Sequence, residues 1–178
     1  MLKQLAAGYK NIFTKFALYP PASDTKAWSA LNQEWKEQTL CLGEQYLNFD
    51  YPHLSATDFM DFTRTGNHTR YEDRYFQKRY ALNALVMAEC VENKGRFMDD
   101  IINGIFSICE ESAWQLPPHN SYIRDTPQLP LPDVTTPVLD LFACETGAVL
   151  ATVYYLLADK LDEISPFITK RILNELRC

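Results

Sequence analysis

The sequence predicts an all-α protein. Apolar residues recur at three- and four-residue steps over most of the chain, and no stretch alternates with period two. No Asn-Gly or Asp-Gly pair sits as a turn between two strand-like runs. The composition agrees: 10 Phe, 10 Tyr and 3 Trp stand against 6 Gly in 178 residues, and 47% of the chain is hydrophobic. That is enough apolar surface for a real core in one domain.

Residues 1–22 read as a short amphipathic lead-in closed by Pro20-Pro21, and residues 23–178 as the domain. Trp28, Leu31, Trp35 and Leu42 fall at near-helical spacing behind Ser23 or Asp24 as the cap. A short helix is expected from Ser55, with Asp58 as a first-turn carboxylate, to Gly66. Thr69-Arg-Tyr-Glu72 matches a capping box. Tyr71, Tyr75, Phe76, Leu82, Leu85, Val86 and Cys90 then form an apolar stripe to about Val91. Asn93-Lys-Gly-Arg96 predicts a tight turn, and Phe97, Ile101, Ile102, Ile105, Phe106 and Cys109 an answering stripe. Long helix, short turn and second helix imply an antiparallel helical hairpin.

Between about Ser112 and Thr136 stand Pro117, Pro118, Pro127, Pro130 and Pro132, which exclude a regular helix or a central strand. Compact domains seldom keep so long an irregular segment without a use for it. Thr136-Pro137 reads as a new helix start, with Thr as N-cap and Pro in the first turn. Leu139, Phe142, Ala143, Val149, Leu150, Val153, Tyr154 and Leu157 are expected on its buried face. Ser165-Pro166 repeats the start signal, and Ile168, Ile172, Leu173 and Leu176 make the last stripe. Two hairpins thus flank one proline-rich loop. The last helix runs to Cys178 with no glycine cap, so the chain is expected to be part of something longer.

The net charge of −6 argues against a general nucleic-acid binder, which carries a basic face. Neither phosphate-cradling glycine motif is present, and no GxSxG elbow. His53, His68 and His119 are far apart and fit no metal pattern, so neither metal nor cofactor is expected. Lys3, Lys10 and Lys15 interrupt the N-terminal segment, and no apolar run is expected to reach the ~18–20 residues of a membrane span. A cytoplasmic setting without membrane contact follows. The five cysteines include no CxxC pair, and Cys90, Cys109 and Cys144 read as buried reduced thiols.

Two places could carry chemistry. Arg70, Arg74 and Lys78 recur every fourth residue beside Tyr71 and Tyr75, a face able to hold an acidic sugar by ion pairing and stacking. The same residues also fit a solvated helix face paired with acids such as Glu72 and Asp73. The loop ESAWQLPPHNSY offers Trp114 and Tyr122 for stacking on a sugar ring, His119 as general acid or base, and Asn120 as an uncharged hydrogen-bonding partner. Trp114 could equally anchor the loop, and His119 could merely cap a helix end.

The segments TRYEDRYFQKRYALNALVMAEC, FMDDIINGIFSICEESAWQLPPHN and LDLFACETGAVLATVYYLL together resemble the α-helical portion of heparinase II/III-like proteins. The most specific part is ICEESAW…LPPH followed by LDLFACETG, and the resemblance spans roughly residues 25–178. It implies an incomplete (α/α) toroid of successive hairpins, followed in full-length members by an antiparallel β-sandwich. It further implies polysaccharide lyase chemistry on uronic-acid-containing chains. A base removes the C5 proton, a neighbouring group neutralises the uronate carboxylate, and an acid protonates the leaving oxygen. Family active sites use Tyr, His and Asn or Glu in these roles.

On this basis His119 and Tyr122 are the candidate catalytic residues, and Trp114, Asn120, Arg70, Arg74 and Tyr71 the candidate substrate contacts, for an acidic polysaccharide or oligosaccharide. Residues that the family draws from later hairpins and from the sandwich fall outside this sequence, so the isolated chain is expected to be inactive. Two other readings stay open. An α/α-barrel glycoside hydrolase would need paired carboxylates, for which Asp125, Asp133, Asp140 and Glu145 are available. A non-catalytic helical interaction module would use the loop for docking.

Overall fold

The structure of the chain, a computed structural model, describes residues 17, 19–123 and 126–177. The amphipathic lead-in through residue 16, Leu18, Arg124-Asp125 and the terminal Cys178 lie outside the described residues. Those described form seven α-helices and no strand: α1 (Thr25–Ser29), α2 (Gln33–Glu44), α3 (Ala56–Thr65), α4 (Thr69–Glu92), α5 (Met98–Cys109), α6 (Leu141–Ile164) and α7 (Pro166–Glu175). One 3-10 turn, Pro117–His119, lies within the long loop between α5 and α6. The all-α reading holds.

Helix α4 is the centre of the packing. It lies against α2 and α5 along much of its length and also touches α1, α3 and α6, while α7 packs on α5 and α6. Its sequence divides it into three zones. Tyr71 and Tyr75 join Phe59 and Leu116 in an aromatic cluster. Leu82, Leu85, Val86 and Ala88 join Ile101, Ile105 and Ile108 of α5, Leu150, Val153, Leu157 and Leu161 of α6, and Ile168 and Ile172 of α7 in the aliphatic core. Each Leu or Ile buried there stabilises the fold by about 1.5–3 kcal/mol. Between the two zones lie Lys78 and Arg79, both buried.

The start signals mostly hold, with three corrections. Trp28, Leu31, Trp35 and Leu42 do not share one helix. The chain breaks after Ser29, and Asn32 caps a new helix by accepting from the Trp35 amide at 3.3 Å. Only Trp28 of the four is buried; Leu31, Trp35 and Leu42 are exposed. The physical reason is the face that α2 turns to α4. Leu40 and Leu47 meet the core there, and a Cβ added at Gly43 would lie 2.3 Å from the Ala88 Cβ. Only a residue without a side chain allows the two backbones to approach so closely.

Second, the capping box at Thr69 is absent. Asn67 accepts from the Arg70 amide at 3.3 Å, and the Glu72 carboxylate lies 2.7 Å from the His68 ring nitrogen. Third, α6 starts at Leu141, not at Thr136-Pro137. Thr135 and Thr136 are drawn instead to the Asp133 carboxylate, by an amide at 2.8 Å and a hydroxyl at 2.7 Å. Asp140 is the actual cap, accepting from the Ala143 amide at 2.7 Å. Leu139 consequently lies outside the helix and is exposed. Ser55 and Ser165-Pro166 start α3 and α7 as expected.

The turn between α4 and α5 is fixed from inside. Glu89 is fully buried; its two oxygens accept from the Gly95 amide at 2.9 and 3.1 Å, and it pairs with Lys160 of α6. Helix α6 is long and apolar enough, by length and composition alone, to cross a membrane, which the sequence reading did not anticipate. In this fold it supplies the core residues named above.

Cys90 and Cys109 are buried, and burial pushes both thiols up to about 12. Cys144, expected inside, is exposed, as is Cys41. A thiol-specific reagent should therefore modify Cys41 and Cys144 quickly in the native chain and reach Cys90 and Cys109 only on unfolding, because reactivity follows exposure and thiolate population. Peptide mapping by mass spectrometry reads the order. Gly43→Ala should destabilise the chain by about 1–3 kcal/mol, an overpacking cost measurable by denaturant titration.

Candidate functional site

The loop between α5 and α6 is held by a chain of buried polar contacts. Arg79 forms a fork on Glu111, with its two terminal nitrogens 2.7 and 3.1 Å from the carboxylate oxygens. The Lys78 ammonium is 2.7 Å from the same carboxylate and donates to the Ser107 carbonyl at 2.8 Å. Arg79 also donates through Nε to the Thr146 hydroxyl at 3.0 Å, and its guanidinium lies over the Tyr75 ring, 3.2 Å from the centroid. The Thr146 and Tyr75 hydroxyls are 2.7 Å apart, and Tyr75 donates to the Trp114 carbonyl at 2.9 Å. Both hydroxyls also reach the Phe142 carbonyl, Tyr75 at 3.0 Å and Thr146 at 2.9 Å. Both ends of the segment 111–114 are thereby tied to α4, with α6 between them.

This network was not singled out from the sequence, although a signal existed. Arg79 falls four residues after Tyr75 and three before Leu82, inside the apolar stripe. A cation at such a position needs a buried partner. Lys78 was assigned instead to the Arg70 and Arg74 face by its four-residue spacing, yet it is buried while Arg70 and Arg74 are not. Arg74 pairs with Asp58, and Arg70 with Asp61 and, at 3.8 Å, Asp58. These two arginines meet acids of α3 where the sequence suggested an acidic sugar.

The loop residues separate into two roles. Trp114 packs on the core and donates through its indole N–H to the Ile108 carbonyl at 3.2 Å. Asn120 is buried, donates to the Leu129 and Leu131 carbonyls at 2.9 Å each, and accepts from Gln115 at 3.1 Å. Both hold the loop in shape. His119 and Tyr122, by contrast, are exposed, and they line one open groove of about 660 Å³ with Phe62, Pro118, Leu139 and Asp140.

Within the groove His119 is oriented from two directions. Its Nδ1 lies 2.8 Å from Asp140, and its ring stacks on Phe142 at 5.4 Å and 19°. Asp140 also accepts from the Leu116 amide at 3.2 Å and caps α6. A carboxylate on Nδ1 selects the tautomer with the proton there, and leaves Nε2 as the lone-pair nitrogen of the neutral ring. The Tyr122 hydroxyl donates to the Pro137 carbonyl at 2.6 Å and accepts from the Leu139 amide at 3.2 Å. Its proton is committed to the loop in this state.

Tyr71 lies elsewhere. It is buried edge-on to Phe59, with ring centroids 5.2 Å apart at 87°, and lines a separate cleft of about 340 Å³ with Tyr51, His53, Lys78, Glu110 and Glu111. Tyr51 reaches this cleft by lying across α5 at Gly104, where a Cβ would stand 2.4 Å from its hydroxyl. Burial first, then the Glu111 charge, raises the Tyr71 hydroxyl above the ordinary phenol range. Burial lowers the Lys78 ammonium from its ordinary value, and Glu111 opposes that shift. Tyr75 is pushed up to about 12 by burial, against the Arg79 charge. Among the described residues no cluster of three or more His, Cys, Asp or Glu side chains could hold a metal ion.

Compared with protein-family models and with curated proteins, the sequence finds no match.

The Lys78–Arg79–Glu111 cluster should respond asymmetrically to neutralisation. Glu111→Gln strands two buried cations and should cost about 3–5 kcal/mol. Lys78→Gln leaves a neutral Arg79–Glu111 pair and should cost clearly less; urea titrations of the two variants read the difference. The pH dependence gives a second check. Because the folded-state pKa of Lys78 is depressed, the unfolded chain binds this proton more tightly between that value and the ordinary 10.5. The Lys78 contribution to stability therefore rises with pH through that window. Relative to Lys78→Gln, the parent chain should gain stability as the pH is raised towards 10.5.

Proposed function

We propose that the chain is the helical portion of a carbohydrate-active protein of the heparinase II/III-like type, with the His119 groove forming part of its sugar cleft. The observation that carries this reading is the His119–Asp140 pair in an open groove. A histidine whose Nδ1 is held by a carboxylate, and whose ring is stacked in place, is arranged to take a proton through Nε2. The exposed rings of Tyr122 and His119 and the flank of Phe62 suit the apolar face of a sugar. In this reading α4 with α5, and α6 with α7, are two successive hairpins of an incomplete (α/α) toroid.

The reaction is β-elimination on a uronic-acid-containing polysaccharide. His119 takes the C5 proton, and the electron pair of that bond forms the C4–C5 double bond as the C4–O bond breaks. The departing oxygen takes up a proton, for which Tyr122 is the nearest phenol in the groove once its bond to Pro137 is released. Arg70 and Arg74 contribute charge to the approach path only if they exchange their partners on α3, because both are paired there. The partner is an acidic polysaccharide met in the cytoplasm, with neither nucleic acid nor membrane involved.

The hydrolase alternative is less well supported. It requires one carboxyl group held protonated near neutral pH. Asp133 goes the other way: the hydroxyls of Thr135 and Thr136 and the Thr135 amide hold it at about 2. Asp140 is already engaged by His119 and two backbone amides.

The test is incubation of the protein, and of any longer product of the same reading frame, with uronate polysaccharides while following the ultraviolet absorbance of unsaturated uronate. Product should accumulate with a longer protein that carries the remaining hairpins and the sandwich and not with the isolated chain, and His119→Ala in that longer protein should slow it by roughly 100-fold or more, the worth of a general base. Reducing ends formed without that absorbance would favour a hydrolase, and an unchanged rate in His119→Ala would remove the groove from the chemistry.

A further inference from the structure

Helices α2 and α4 leave a groove of about 410 Å³ between them, with Trp35, Leu42 and Tyr46 on one wall and Tyr80, Ala84 and Met87 on the other. Among the described residues none that lines it is charged. Its largest side chains are open to water: Trp35, Leu42 and Tyr80 are 39%, 47% and 63% exposed. Leu40 and Leu47 hold another face of α2 against the core, so the row from Trp35 to Leu42 is left outside. Single exposed apolar residues are ordinary, but a contiguous row on two neighbouring helices marks a surface that something covers. The groove shares no lining residue with the His119 groove, and its occupant is independent of the chemistry assigned there.

The chain itself carries a matching surface. In sequence, residues 1–16 place Leu2, Leu5, Tyr9, Ile12 and Phe16 at steps of three and four, the spacing of one apolar helix face. On such a helix Lys3 and Lys10 fall on one flank of that row and Lys15 on the other. The row would run about 21 Å at 1.5 Å per residue, enough to span the groove from Trp35 to Tyr46. The charges are complementary as well. Residues 1–16 hold three lysines and no acid, so with a total of −6 the rest of the chain stands at −9. Glu34, beside Trp35 on α2, and Asp73, two turns before Tyr80 on α4, are both exposed. The nearby arginines, Arg70 and Arg74, are taken by Asp58 and Asp61 instead.

The point of attachment is fixed. The Tyr155 hydroxyl donates to the Tyr19 carbonyl at 2.6 Å, and the Ala22 amide donates to the Leu156 carbonyl at 2.9 Å. The Trp28 indole N–H donates to the Pro21 carbonyl at 3.0 Å, and α1 touches α4. Residues 19–28 therefore cross from α6 to α4. The lead-in departs one helix away from the groove, about 8–10 Å between neighbouring axes.

We propose that residues 1–16 are the occupant of this groove, docking as an amphipathic helix that lays Leu2, Leu5, Tyr9, Ile12 and Phe16 along the row from Trp35 to Tyr80. The lysines then face the acids at the groove's edges. A tethered segment meets the groove at an effective concentration that a free partner lacks. The same segment alone would suit an anionic membrane surface. The acidic body to which it is tied is repelled by such a surface, and that favours the intramolecular contact.

The test is hydrogen exchange of the full chain, read by mass spectrometry on peptides from residues 1–16. Docking should slow exchange of these amides roughly tenfold or more below their unprotected rate, the effect of burying even one large apolar side chain. Leu42→Lys and Tyr80→Lys replace exposed residues with a good helix former, so the fold is kept. Each should release most of that protection, whereas Ala151→Lys on the exposed face of α6 should leave it in place. Ile12→Lys works from the other side and leaves the described fold untouched. It should raise acrylamide quenching of the tryptophan emission, and Trp35→Phe should abolish that rise. No protection in the parent chain, or protection that survives both groove variants, overturns the proposal. So does protection lost in Ala151→Lys alone, which assigns the face of α6. Protection that grows with protein concentration overturns it in favour of a second copy, and protection seen only with phosphatidylserine vesicles in favour of a membrane.

Discussion

The rest of the structure depends on the fork between Arg79 and Glu111. Glu111 is the second residue past the end of α5, where a helix would ordinarily release its chain to solvent. Here the carboxylate is drawn inside and seized by a guanidinium on the central helix. That single attachment decides the direction in which some thirty residues of proline-rich chain depart. Thr146 and Tyr75 extend the grip to α6 and to the Trp114 carbonyl, so the loop is secured before its first proline. Everything that gives the loop its character, including the 3-10 turn at Pro117–His119 and the groove beyond it, is built outward from that point.

The polar belt also separates two packing regimes. On one side aromatic rings meet edge-on, as Phe59 does Tyr71 and Phe76 does Phe142. On the other, aliphatic side chains of α4, α5, α6 and α7 pack together, with the Glu89–Lys160 pair as a polar inclusion. A fully apolar α4 could have packed in several registers. Placing Arg79 where only Glu111 and Thr146 can satisfy it penalises each of the alternatives, because any shift strands a buried cation. The His119 groove lies on the aromatic side, with the His119 ring stacked on Phe142.

How much of this was legible in the sequence depended on the range of the interactions. Local signals were read well: Ser55 and Ser165-Pro166 act through backbone amides within three residues of themselves, and the Asn93–Arg96 turn is made by Asn93 and Gly95 at positive φ. Apolar spacing located the stripes of α4 to α7. It failed at α2, because the face that packs is defined by a missing side chain at Gly43, and absence of volume leaves no apolar signature. It failed again at Thr136-Pro137, where a cap signal was outcompeted by Asp133 three residues earlier. In the loop, residue type pointed to the right segment but not to the division of labour. Trp114 and Asn120 look as suitable for a ligand as His119 and Tyr122 do, and only the partners 6 to 11 residues away show that the first pair is consumed by the loop itself. Asp140, which makes His119 interesting, is 21 residues distant.

Glu89 has a consequence for how the chain comes apart. A carboxylate with no exposure binds the turn that follows its own helix and, through Lys160, a helix some seventy residues later. Detaching α6 and α7 from the body would leave that charge inside with half its partners gone. Peeling away the turn would do the same from the other side. Neither end can open at small cost while the other remains closed, so the far end of the molecule should not fray stepwise. It should behave as one cooperative unit, lost together or kept together.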